Sequence, residues 1–170
     1  VMPLATFEHT WARSGYWAML ALPADRLPAT ARESVYVAAA VALEQAGELA
    51  AAQTAYRTAL ARWPRNFLAR MGLGNIAAAQ GNWQEAEAAY RQAAVDHPHE
   101  WTAFNNLAWA LTEQKRWREA LEAARQALAL SGGHPQARQT LESIESRLDP
   151  GTPLKPRRSE ENKARKRTVP

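Results

Sequence analysis

A periodicity of 34 residues constrains this chain more than any other feature. Ala52, Ala86 and Ala120 recur at that interval, and so do Ala59, Ala93 and Ala127. Tyr56 and Tyr90 recur, with Ala124 in the third copy. Pro64 and Pro98 recur, with Gly132 third. Ala40, Gly74 and Ala108 align, preceded by Ala39, Leu73 and Leu107. Gly47 and Gly81 align with Lys115; Trp83 and Trp117 align with Leu49. A unit of this length is one supersecondary motif. It cannot bury its apolar face alone, so copies must stack.

Each copy predicts two helices. The first run over about 33–46, 67–80 and 101–114, and the second over about 49–62, 83–96 and 117–130. Apolar residues return at three- and four-residue spacing, as in Tyr36, Ala39, Ala40 and Leu43, or Trp101, Phe104, Leu107, Ala108 and Leu111. Gly47 and Gly81 stand where a helix stops and the backbone turns left-handed. Pro64 and Pro98 end their units, because proline cannot continue a helix interior. Small residues at fixed positions let antiparallel helices approach closely at their crossing. Composition agrees: 37 alanines stand against 8 valines and isoleucines together, and alanine favours helix where β-branched residues favour strand.

These offsets resemble the tetratricopeptide repeat (TPR), with a generic bundle of α-hairpins as the plainer alternative. The resemblance implies an all-α fold: a right-handed α-solenoid of three helix pairs. Repeats would span 33–66, 67–100 and 101–134, with a capping helix at 135–148. Pro135 suits a first helical position. Ala137, Leu141, Ile144 and Leu148 form a stripe on an otherwise polar helix, as a solenoid end requires. Residues 149–170, with four prolines from Pro150 on and a charge run, are expected to be a disordered basic tail.

The resemblance also implies a peptide groove, built by first-helix positions two, five, nine, twelve and thirteen. They read Ser34, Val37, Val41, Glu44 and Gln45; then Leu68, Met71, Asn75, Ala78 and Ala79; then Thr102, Asn105, Trp109, Thr112 and Glu113. Val37, Val41, Met71, Asn75, Thr102, Asn105 and Trp109 are the expected peptide contacts. Met71 and Trp109 offer adaptable and aromatic anchors. Asn75 and Asn105 offer amides to a peptide backbone. No Lys or Arg stands in this set, which argues against gripping a chain-terminal carboxylate, since that needs a cation. The implied function is a protein–protein interaction module holding a peptide or helix.

Residues 1–32 lie outside the repeat and read as the remnant of an upstream domain plus a linker. Thr6 can cap a short helix bearing Phe7 and Trp11; Gly15 breaks it; Tyr16 to Leu22 reads as a buried strand ending at Pro23. Met2–Pro23 is similar to the closing helix and strand of a papain-fold domain of the C39-like, bacteriocin-processing cysteine peptidases. Some bacterial members carry such repeats after the peptidase. That likeness implies an alternative role, the non-catalytic part that recruits substrates or partners, and then a cell-envelope setting rather than the cytoplasm. It also makes this chain the C-terminal piece of a longer protein, an expectation that Val1 agrees with.

Catalysis is not expected from these residues. The chain has no cysteine, which removes the thiolate of that family, zinc–thiolate sites and disulfides. His97, Pro98, His99 and Glu100 read as a solvated turn between repeats, as does His134 after Gly132-Gly133. No metal and no cofactor is therefore expected. The charge of +4 belongs to the tail: residues 151–170 hold seven basic and two acidic side chains, leaving −1 for the rest. The repeats thus offer no basic surface for a phosphate backbone. The tail carries no aromatic for base stacking, so nucleic acid is not an expected partner. No run of 18 apolar residues exists to span a membrane.

Overall fold

A computed structural model describes residues 22–148. After a 3₁₀ turn at Ala24–Arg26, seven α-helices follow: α1 (Glu33–Gln45), α2 (Leu49–Arg62), α3 (Phe67–Ala79), α4 (Trp83–Asp96), α5 (Trp101–Glu113), α6 (Trp117–Leu130) and α7 (Pro135–Leu148). They pair as α1/α2, α3/α4 and α5/α6, with α7 packed on α6. The first helices also touch one another, α1 with α3 and α5 with α7. The result is an all-helical solenoid whose first helices form one layer and whose second helices form the other. The expected N-terminal helix, all but the last residue of the expected strand, and the tail lie outside the described residues. No described helix is long and apolar enough to cross a membrane.

The periodic small residues sit where helices cross. Ala52, Ala59, Ala86, Ala93, Ala120 and Ala127 are all fully buried. A bulkier side chain at any of them would hold the axes apart. Between them stand the large members of the core, Tyr36, Tyr56 and Tyr90, also fully buried. Gly72 and Gly74 make room for two of these. A Cβ on Gly72 would lie 2.2 Å from the Tyr56 ring, and one on Gly74 would lie 2.4 Å from the Tyr90 ring. The segment read as a linker is not idle. Leu27 is 8% exposed and joins the core under α1 and α2.

One turn design ends the first helices. Gly47, Gly81 and Lys115 all adopt left-handed backbone, with φ of 81°, 75° and 60°. In each turn the next residue's N–H reaches back to the third-last helical carbonyl: Glu48 to Leu43, Asn82 to Ala77 and Arg116 to Leu111, each at 2.9 Å. This satisfies carbonyls that the helix end leaves free. Lys115 meets the same geometry with a side chain, and a left-handed non-glycine residue costs on the order of 1 kcal/mol. Lys115→Gly is therefore expected to stabilise the protein by about 0.5–1 kcal/mol. Urea denaturation followed by circular dichroism reads this directly. An unchanged or lower midpoint would show that the lysine side chain contributes more than the strain it brings.

The second helices end differently. Trp63 and His97, which precede Pro64 and Pro98, leave the helical region, at φ/ψ of −129°/80° and −135°/72°, as a following proline requires. Asn66 then caps α3, its Oδ1 accepting from the Ala69 N–H at 2.8 Å.

Candidate functional site

The helical register settles where the expected groove residues fall. Val37 and Met71 are 1% and 7% exposed. Position five turns inward at the helix crossings, so both side chains belong to the core and offer a peptide almost no surface. Val41 and Thr102 are half-buried. Asn75 and Trp109 are exposed, Trp109 at 44%. Leu68, on the same face of α3, is exposed as well. Trp109 meets Trp83 edge to face, with ring centroids 5.0 Å apart. That contact holds one edge of the indole while leaving a face open.

Tyrosine hydroxyls reach this face from inside. Tyr90 Oη donates to Asn75 Oδ1 at 2.9 Å, and Asn106 Nδ2 donates to the same oxygen at 3.4 Å. Burial pushes the Tyr90 hydroxyl up to about 12, although the Asn106 amide pulls the other way. Tyr56 Oη donates to Glu44 Oε2 at 2.6 Å. Its hydroxyl is raised further, by burial first and then by the hydrogen bond and negative charge of Glu44. Both phenols stay protonated at physiological pH and act as fixed donors. Asn75 thus presents an amide whose oxygen is already occupied.

The third unit differs. Asn105 is 5% exposed, and its Oδ1 has no hydrogen-bond partner. It borders a pocket of about 460 Å³ between α5 and α7, together with Asn106, Trp109, Thr112, Glu113 and, from α7, Gln136, Gln139, Thr140, Ser143, Ile144 and Arg147. The polar surface of α7 has the look of a solenoid cap, which hides this contribution in the sequence. The same 34-residue register would have found it: Gln139 and Ser143 stand one repeat after Asn105 and Trp109.

The opposite layer is organised by charge. Arg57 pairs with Glu85 at 3.6 Å, Arg91 with Glu119 at 3.8 Å, and Arg125 with Glu145 at 3.7 Å. These exposed pairs bridge successive second helices, or α6 and α7, and each contributes little. Glu87 is a different case, being only 13% exposed at its side chain. Burial alone would raise its pKa. Hydrogen bonds from Arg91, Gln114 and Arg116 outweigh that and hold the carboxyl below its ordinary range. Arg116 also grips Glu119 with two hydrogen bonds, at 2.8 and 2.6 Å. The sequence shows only the Glu87–Arg91 spacing within one helix. The link to the turn between α5 and α6 is tertiary.

The histidines serve the unit boundaries. His97 Nε2 donates to the Arg65 carbonyl at 2.6 Å, and its ring meets the Phe67 ring edge-on. His134 lies over Trp101, centroids 4.6 Å apart. Among the described residues, no cluster of three or more His, Asp or Glu converges as metal ligands would.

Comparison with known proteins agrees with this geometry. The tetratricopeptide repeat family matches at residues 37–95 and 75–135. No curated protein matches the chain. Solved structures with the same fold include the Sgt2 TPR domain from Aspergillus fumigatus, at 19% identity and a TM-score of 0.65, covering 72% of this chain and 85% of that one. The second TPR domain of human RPAP3, solved in complex with an HSP70 peptide, is 21% identical with a TM-score of 0.62, covering 66% of this chain and 95% of that one. The Yersinia enterocolitica type III secretion translocator chaperone SycD is 20% identical with a TM-score of 0.63, covering 68% of this chain and 85% of that one. With its 34-residue units, its Gly–Tyr and Ala–Ala helix crossings and its repeated left-handed turns, this chain belongs to the tetratricopeptide repeat family.

Proposed function

We propose that this chain is a protein–protein interaction module that holds a peptide or helix along its first-helix face. The observation that carries the proposal is the continuity of that face. Leu68, Asn75, Thr102, Asn106 and Trp109 follow one another from α3 to α5, and Gln139 and Ser143 extend the row onto α7. Exposed apolar groups alternate there with amides and hydroxyls, the mixture that binding surfaces use. Support comes from the fold: the similar human RPAP3 domain is held with a peptide in its solved complex. The contact set differs from the sequence expectation: Asn105 is almost wholly buried and Asn106 stands in the row instead. Val37 and Met71 shape the core beneath the face, and Leu68 and the α7 residues take their place.

The narrower reading, a recruiting segment of a C39-like cysteine peptidase, has its support in the likeness of Met2–Pro23 alone. It requires a cysteine and histidine encoded ahead of Val1.

Panning a random peptide-display library against the full chain tests the main reading. Selected peptides should lose at least about tenfold in affinity for Trp109→Ala combined with Asn75→Ala, the loss typical of a central anchor. Arg125→Ala on the opposite layer should change nothing. Circular dichroism of each variant checks that helicity is kept. Peptides that lose affinity with Arg125→Ala and keep it with the double variant would place binding on the wrong face.

A further inference from the structure

The first helix of the solenoid keeps the face of an interior helix. In α3, α5 and α7 that face packs on the preceding unit. Ala69, Ala103 and Ala137 are buried there, and two turns on so are Ile76, Ala110 and Ile144. The positions in register on α1 are Val35 and Ala42, with Ala38 and Ala39 between them. Ala38 and Ala42 are exposed and Val35 and Ala39 half-buried, because among the described residues no α-helix precedes α1. From Ser34 to Leu43 the helix carries no charge. A helix that is apolar all round is normally buried all round, and the terminal units of a solenoid need a polar outer face. α7 has one, with Gln139 and Ser143 exposed; α1 does not.

We infer that residues 1–21 of this chain dock on that face and close the N-terminal end of the solenoid. Entry point, composition and tethering select this occupant. The segment joins the fold at this end: Leu22, the first described residue, packs against the core of α1 and α2, and Leu27 is part of that core. Leu22 also stands one period before Tyr56, and Ala38 one period before Gly72. Tyr56 and Gly72 are the pair that meets across the next boundary. The chain therefore arrives in the register of a preceding unit, with Ala18 one period before Ala52. Thirteen of the 21 residues are apolar, Trp11 and Trp17 among them, and only Glu8 and Arg13 are charged. Such a segment gains by burial against a face that carries no charge. It is also covalently attached, so its effective concentration at α1 is on the order of millimolar, which favours it over a second copy. Its length suffices. The 13 residues of α1 extend about 20 Å, and 21 residues extend about 30 Å even at the helical rise. This closure is independent of peptide binding in the groove. It excludes the recruiting-segment reading, in which Met2–Pro23 belongs to an upstream domain.

The chain has no cysteine, so a single introduced thiol reports on the face directly. Ala88, exposed in the middle of α4, is the reference position. In the full chain, Ala38→Cys and Ala42→Cys should react with a soluble disulfide reagent at least about tenfold more slowly than Ala88→Cys, as thiols reached only through local opening do. That protection should be unchanged on about 100-fold dilution, since the cover belongs to the same chain. Trp11→Ser with Trp17→Ser should raise both rates to that of Ala88→Cys, with the chain still folded by circular dichroism. In the unaltered chain, nuclear Overhauser effects should join the Ala38 and Ala42 methyls to indole protons of Trp11 or Trp17, a readout that does not depend on any variant folding. Thiols that react at the Ala88→Cys rate overturn the proposal. So does protection that fades on dilution, which would assign the face to a second copy. Protection that survives the loss of both tryptophans, or the absence of those Overhauser effects, overturns it as well.

Discussion

Gly74→Ala is expected to destabilise the protein by roughly 1–3 kcal/mol, although alanine is the better helix former. The new Cβ would stand 2.4 Å from Cε1 of Tyr90, inside any permitted contact. The ring is fully buried, so it cannot step aside without disturbing α3 and α5. Tyr90→Ala is expected to cost more, about 3–5 kcal/mol, through the cavity it leaves, and it also removes the donor to Asn75. The two changes together recreate the pair that the third repeat uses, Ala108 opposite Ala124. The double variant should therefore cost at least about 1 kcal/mol less than the sum of the singles, the coupling expected of residues in contact. Urea denaturation of the four proteins measures the cycle. Additivity within about 0.5 kcal/mol would mean that the glycine and the ring do not meet.

Glu87→Gln is expected to cost about 1–3 kcal/mol at neutral pH, because three donors then surround a neutral amide in place of a carboxylate. The pH dependence carries a sign. The folded carboxyl titrates below its ordinary value of 4.5, despite the opposing effect of burial. Its stabilisation is thus complete above that value and disappears as pH falls through the lower folded value. Wild type and Glu87→Gln should differ in urea midpoint at pH 7 and draw together as pH falls through the lowered folded value. A gap that persists at the acid end would assign the loss to side-chain shape rather than charge. Removing Arg116 should reproduce part of the effect, since it ties Glu87 to the turn after α5.

Much of this architecture was legible in the amino acids. Ala52, Ala86 and Ala120 at fixed interval require close helix crossings. Gly47 and Gly81 mark left-handed turns, and the turn at Lys115 follows from register alone. Such local rules act within one hairpin, and a periodic chain states them three times. The inner and outer faces were less legible. Position five was expected to line the groove, yet Val37 and Met71 are buried. A helix has few degrees of rotation between a lining residue and a core residue, and packing against the next unit sets that rotation.

The link from Glu87 to Arg116 has no signature in the sequence, because its partners lie 27 and 29 residues away on another unit. The gap between α5 and α7 is intermediate. Its lining residues Gln139 and Ser143 stand in register with Asn105 and Trp109, but register alone does not say whether the two helices close on each other. Whether the space closes depends on how near α7 approaches α5, and that is a property of three helices at once. Local repetition therefore specifies the units and their turns by short-range sterics. Long-range packing between units selects which side chains are buried, which carboxylate is clamped and where a cavity remains.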